Sequence, residues 1–189
     1  MSFVNALSLF NNDLGELNSK ITNIQTRNTQ ELSLNISTPS TVTLTFDELE
    51  NVVGLSYYQK QDASFAKAPE PFNINGNVLK ITYLNIIGTY TGTLTCKAVE
   101  CYESLTTVTK EITLSCSGYG FGVGKLTFDE LSEVVAIKGF ICAGAGSNNG
   151  CGDVGSICTL GTNEIIVIYD NRQYSAPHDE IVTITVVGK

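Results

Sequence analysis

The chain has 189 residues, 42% of them hydrophobic and only 16% charged, and it carries a formal net charge of −8. That balance argues against a disordered chain. An acidic sequence without a Lys/Arg cluster argues against nucleic acid as a partner. No stretch reaches the roughly 18 apolar residues that cross a bilayer, so no membrane insertion is expected.

The N-terminus, MSFVNALSLFNNDLGELNSK, lacks the basic start and unbroken apolar core of a signal peptide. Over residues 1–28 the apolar positions Phe3, Leu7, Phe10, Leu14, Leu17, Ile21 and Ile24 alternate steps of four and three. This is the a/d spacing of a heptad repeat. Leu7, Leu14 and Ile21 take a; the other four take d. Asn11, Asp13, Asn18, Lys20, Gln25 and Arg27 flank the seam. A helix this short, weakened by Gly15, needs partners. The seam reads as a self-associating coil, with a trimer favoured by Leu at a and the bulky Phe pair at d. The competing reading, encouraged by Val4 and Leu9 off the seam, is a helix docked on its own domain.

After Asn28 the period changes to two. ELSLNIST and TVTLTF read as strands, with Pro39 and Ser40 turning the chain between them. The phrase LTFDELENVV then begins at Leu44 and returns as LTFDELSEVV at Leu126. Thr45 with Glu48, and Thr127 with Glu130, match a capping box, so FDELENVV is expected to be a short helix closed by Gly54, and FDELSEVVAIK its counterpart closed by Gly139. Residues 59–77, with Pro69, Pro71 and Gly76, read as a surface loop. VLKITYLNII, YTGTLTCKAVECY and TTVTKEITLSC read as three strands. GYGFGVG reads as a flexible joint, and the Gly- and Cys-rich run from Lys138 to Asn163 as irregular. EIIVIYD and EIVTITVVG are expected to pair as a hairpin across NRQYSAPHD.

The expected fold is therefore mainly β: an N-terminal coiled-coil helix followed by two related antiparallel β-sandwich-like modules. The expected boundaries are 1–28 for the helix, 31–118 for the first module, 119–124 for the joint and 125–189 for the second module. Either a pair of small sandwiches or one sandwich built from two half-units fits the duplication.

Chemistry is sparse. His178 is the only histidine, in an expected loop tip beside two acids, and a solvated role outweighs a catalytic one. Cys96, Cys101, Cys116, Cys142, Cys151 and Cys158 contain no Cys-x-x-Cys spacing and read as disulfide staples or buried thiols, not metal ligands. GYGFGVGK fails as a phosphate loop: Tyr119 stands where the first glycine is needed, and Leu126 follows Lys125. The acids Asp47, Glu48, Asp129 and Glu130 suit capping at two helix starts better than a glycosidase pair. Tyr57, Tyr58, Tyr119 and Tyr174 are the candidate binding aromatics, with a core role as the alternative. No enzyme and no cofactor is expected.

The module ends VTKEITLSCSG and DEIVTITVVGK resemble those of bacterial and phage immunoglobulin-like domains. The order of parts, heptads ahead of polar β modules, resembles the trimeric fibres, spikes and decoration proteins of phages and other viruses. That resemblance implies a non-enzymatic structural protein at a virion or extracellular surface. Its partners would be further copies of itself, other particle or surface proteins, and cell-surface glycan. The alternative is a monomeric microbial adhesion or carbohydrate-binding module.

Overall fold

The computed structural model describes residues 27–37, 40–61, 65–68, 70–85, 91–143, 153–171 and 177–189. Thirteen strands account for most of them: β1 Asn28–Ser37, β2 Ser40–Thr45, β3 Val52–Gln61, β4 Phe65–Lys67, β5 Asn73–Asn75, β6 Val78–Asn85, β7 Thr91–Glu100, β8 Thr106–Cys116, β9 Phe121–Thr127, β10 Val134–Cys142, β11 Asp153–Thr159, β12 Glu164–Asp170 and β13 His178–Gly188. The fold is mainly β and antiparallel, and no helix occurs among the described residues. The heptad segment falls outside them, apart from Arg27 and Asn28.

Strand formation follows from alternation. In β2, Val42 and Leu44 are buried while Thr41, Thr43 and Thr45 face water. In β13, Val182, Ile184 and Val186 are fully buried. Each such side chain removed from water contributes about 1.5–3 kcal/mol. The outer faces explain the abundance of Thr and Ser. Their hydroxyls pair across strands, Thr109 with Thr185 at 3.0 Å, Ser33 with Thr95 at 2.8 Å and Thr41 with Thr82 at 3.2 Å.

One sheet runs β8-β13-β10-β3-β11-β12-β9, with β7 paired to β3 and β1 to β7. The second is β2-β6-β4, with β5 also on β6. The large sheet nearly closes on itself. β9 returns from the turn at Ser117–Gly120 and lies against β8, where a Cβ on Gly122 would come 2.6 Å from Cys116 Sγ. Residues 121–124, expected as a flexible joint, are therefore strand. A side chain at Gly122 would wedge β9 away from β8.

The pairing pattern repeats. β7 pairs β1 and β3; β13 pairs β8 and β10 in the same way. β6 pairs β2; β12 pairs β9. Bulges between Val52 and Gly54 and between Leu55 and Tyr57 recur between Val134 and Ala136 and between Ile137 and Gly139, at the offset that separates Leu44 from Leu126. Residues 106–116, which the sequence placed in the first module, pair with β13 along their whole length. By strand pairing the repeats are β1–β7 and β8–β13. One continuous core spans both, from Ile36 to Val186. We refer to the two sets of strands as repeats.

The duplicated phrase is a tight turn, not the expected short helix. Leu49 N–H donates to Phe46 O and Leu131 N–H to Phe128 O, both at 3.0 Å. Phe46, Leu49, Phe128 and Leu131 point into the core, while the acids between them stay exposed. A neighbouring hairpin clips each turn. Phe46 N–H bonds Asn77 O at 3.0 Å and Phe128 N–H bonds Asn163 O at 2.8 Å. The side-chain amides of Asn77 and Asn163 return the bond to Phe46 O at 3.2 Å and Phe128 O at 3.3 Å. These hairpins turn through Gly76 and Gly161, whose φ values of 61° and 75° favour glycine. The N–H groups that would continue the turn as a helix are taken elsewhere: Glu50 and Asn51 N–H go to Glu100 Oε1, and Ser132 and Glu133 N–H go to Lys189 O.

Three other expectations change. The polar stretch 59–77 is no simple surface loop. It carries the end of β3, β4 and β5, and buries Lys60, Lys67, Ala68 and Phe72. The Gly- and Cys-rich run contributes the end of β10, all of β11 and its turn into β12. β12 and β13 do not form a hairpin, because β12 pairs β11 and β9 while β13 pairs β10 and β8.

Candidate functional site

Two features stand out: an apolar row on β9, and a buried ionic cluster beneath the pocket beside it. In β9 the inward positions are Gly122, Gly124 and Leu126, so the outward ones are Phe121, Val123 and Lys125. Phe121 and Val123 are 49% and 63% exposed, and Tyr119, in the preceding turn, is 66% exposed. β9 pairs only β12 among the described strands. The apolar row therefore stands on the outward face of a strand that pairs β12 on one side and lies against β8 on the other.

Phe121 also forms one wall of an open pocket of about 410 Å³. Gln59, Gln61, Ser156, Ile168 and Asp170 complete the rim, and Lys60 lies at its inner side. The Gln61 amide donates to Gln59 Oε1 at 3.2 Å.

Below the pocket, three strands and the β4 segment converge on Asp153. The two-residue period of β3 that buries Tyr58 also buries Lys60. Its Nζ lies 3.1 Å from Asp153 Oδ2, with 3% and 1% of the two side chains exposed. The same oxygen accepts Lys67 N–H at 3.0 Å, and Asp153 Oδ1 faces Cys142 Sγ at 3.5 Å. The Lys67 ammonium donates to Phe140 O at 2.7 Å and to Glu70 O, and it lies over the rings of Phe72 and Phe140, 5.1 and 4.6 Å from their centroids. Burial lowers the Lys67 pKa, against the pull of Asp153. Burial, reinforced by Asp153, pushes the Cys142 thiol well up. The Lys60 ammonium and the Asp153 carboxylate thus pair in a water-poor site, with the Lys67 ammonium held nearby on backbone carbonyls.

The sequence candidates are scattered. Tyr119 reaches solvent on the β9 side. Tyr57 is half-buried on β3. Tyr58, a candidate for surface contact, is instead wholly buried, its hydroxyl 2.8 Å from that of Tyr83 and its ring edge-on to Phe140. Burial raises both tyrosine pKa values well above the ordinary range. Tyr174, Cys151 and the heptad residues lie outside the described residues. Cys96, Cys101, Cys116, Cys142 and Cys158 are free thiols. His178 is not at a loop tip; it opens β13, packs edge-on to Tyr169 at 6.0 Å and places Nε2 3.7 Å from Glu180. The strand register of β13 carries it there.

Sequence reading missed Lys60 and Lys67, in a Pro-bearing stretch, and Asp153, in a Gly-rich one, because charged residues in such stretches ordinarily belong to the surface. The signal available was alternation: extending the period of β3 past Tyr58 puts Lys60 on the inner face. No family model, curated protein or solved structure matches the chain.

Proposed function

We propose that the chain is a non-enzymatic structural and binding subunit that works as an assembly. Residues 1–28 gather the copies, a trimer being the favoured number. The β repeats form a rigid body, and the β9 face makes the contact with a neighbouring subunit or surface. The observation that carries this reading is the exposed row Tyr119, Phe121 and Val123 on the outward face of β9 and the turn before it. Exposed apolar side chains in a row, rather than singly, mark interaction surfaces. Joined copies would let weak β9 contacts act together and raise their effective concentration. The order of parts read from the sequence resembles that of viral fibres, spikes and decoration proteins, and on that resemblance we assign the subunit to a virion or extracellular surface.

A second reading, a monomeric adhesion or carbohydrate-binding module, draws on the pocket. An aromatic wall beside amide, hydroxyl and carboxylate groups suits a neutral sugar. Light scattering after size exclusion separates the two readings. A trimer that becomes a monomer on removal of residues 1–28 supports assembly. A monomer in both forms overturns it in favour of the module, and a glycan array then tests the pocket.

A further inference from the structure

Lys60 and Asp153 belong to different repeats, on β3 and β11, and meet where water is nearly excluded. We propose that this pair forms a covalent cross-link: Lys60 Nζ condenses with Asp153 Cγ to give an amide that joins the two repeats side chain to side chain.

The step needs nothing the protein lacks. Lys60 and Asp153 are both buried, and the Lys67 ammonium, held on Phe140 O and Glu70 O, is a second buried cation in the same region. A charged pair is costly in a medium that solvates it poorly. Passing one proton from Lys60 Nζ to the carboxylate leaves a neutral amine and a neutral acid. The amine lone pair then attacks Cγ, and the N–C bond forms. One C–O bond breaks, and the departing hydroxyl takes a second proton that began on Nζ and leaves as water. One ammonium and one carboxylate become one amide and one water, with no oxidant and no co-reactant.

The surroundings are arranged for that step. Lys67 N–H, 3.0 Å from Oδ2, is a donor for the oxygen on which negative charge builds. The Cys142 thiol, 3.5 Å from Oδ1, is a proton relay for the oxygen that leaves. Burial and the neighbouring carboxylate keep that thiol protonated. The rings of Phe72 and Phe140 hold the Lys67 side chain, and with it the Lys67 N–H that faces Oδ2. Two strands hold the reacting groups in contact. Well-oriented groups held in this way react with effective molarities on the order of 10⁵–10⁸ M. Water leaves through the open pocket that Lys60 helps to line.

A plain buried ion pair would share the 3.1 Å separation but not the mass, so mass spectrometry decides. The purified full chain, denatured and reduced, is weighed intact and then digested with trypsin. The expected result is a chain lighter than its sequence by one water. Cleavage after Lys60 should be absent, and a branched peptide should join the segment containing Lys60 to that containing Asp153. Lys60→Arg, which keeps the charge but removes the amine nucleophile, should restore the full mass. A wild-type chain at full mass, with Lys60 and Asp153 in separate linear peptides, overturns the proposal. So does a loss of one water that maps elsewhere. The wild-type measurement decides even where the variant fails to fold.

Discussion

Leu55 and Ile137 pair antiparallel at the centre of the molecule, and each is the other's counterpart in the repeat. An antiparallel pair has a local two-fold axis between its members. The two repeats are therefore related by an approximate two-fold rotation through this contact, as protomers are in an isologous dimer. The surroundings obey the same axis. β11 lies along Tyr57–Gln59 of β3. The chain entering β5, at Pro71 and Phe72, lies against Gly139, the counterpart of Tyr57.

The axis is tight at Gly54. A Cβ there would stand 2.6 Å from Ile137 O and 2.9 Å from the Cβ of Ala136, the counterpart of Gly54. Gly54→Ala should force β3 and β10 apart and cost about 1–3 kcal/mol, the range for overpacking a filled site. Urea unfolding followed by circular dichroism checks this. An unchanged midpoint would show that the two strands part without cost.

The asparagine clips make a paired prediction. Asn77→Ala and Asn163→Ala each remove one side-chain bond to a turn carbonyl and should cost about 0.5–1.5 kcal/mol. Because the clips serve separate turns, the double variant should show the sum of the two costs. A cost at one site only would mean that the two turns are not mechanically equivalent.

Glu100 should give the protein an acid limb. Its burial alone would raise the pKa. Bonds from Glu50 N–H at 2.6 Å, Asn28 Nδ2 at 2.7 Å, Asn51 N–H at 3.2 Å and the Tyr102 hydroxyl at 3.0 Å outweigh burial and hold the pKa below 4.5. Glu133, bonded by Arg27, is lowered as well. A carboxylate with a depressed folded pKa contributes stability above its unfolded value and loses it as pH falls through the folded value. Thermal midpoints should therefore be level above pH 4.5 and fall below it. Glu100→Gln should lower the neutral-pH midpoint and flatten the acid limb. An equally steep limb in the variant would assign the effect elsewhere.

Thiol labelling should follow burial. Cys96 and Cys142 are fully buried, and burial raises both of their pKa values. Cys158 is only half-buried on β11, so among these three it should be alkylated first by iodoacetamide under native conditions. Peptide mapping checks the order. Early labelling of Cys142 would mean that the Asp153 site opens readily.

Strands that show one face to water were legible by alternation, as in Val42/Leu44, Ile165/Val167/Tyr169 and Val182/Ile184/Val186, whereas β4, β5, β9 and β11, short or rich in glycine, were not. Pairing was not legible. A two-residue period says which face is buried, not which strand lies alongside, so β12 and β13 looked like a hairpin. The FDEL phrase was legible as a repeat and misleading as a helix start, because a capping box describes local bonds while the deciding acceptors, the Glu100 carboxylate and Lys189 O, come from far along the chain. The Lys60–Asp153 pair was hidden for a similar reason. Its members are far apart in the chain, and nothing in the polar stretch after Tyr58 signals that another repeat's carboxylate lies opposite.

The two repeats share one core, and both the rigid body behind the β9 face and the meeting of Lys60 with Asp153 depend on it. Scanning calorimetry of the full chain tests this most directly. A single transition whose calorimetric and van't Hoff enthalpies agree is the expected result. Two separable transitions, one for each repeat, would contradict it.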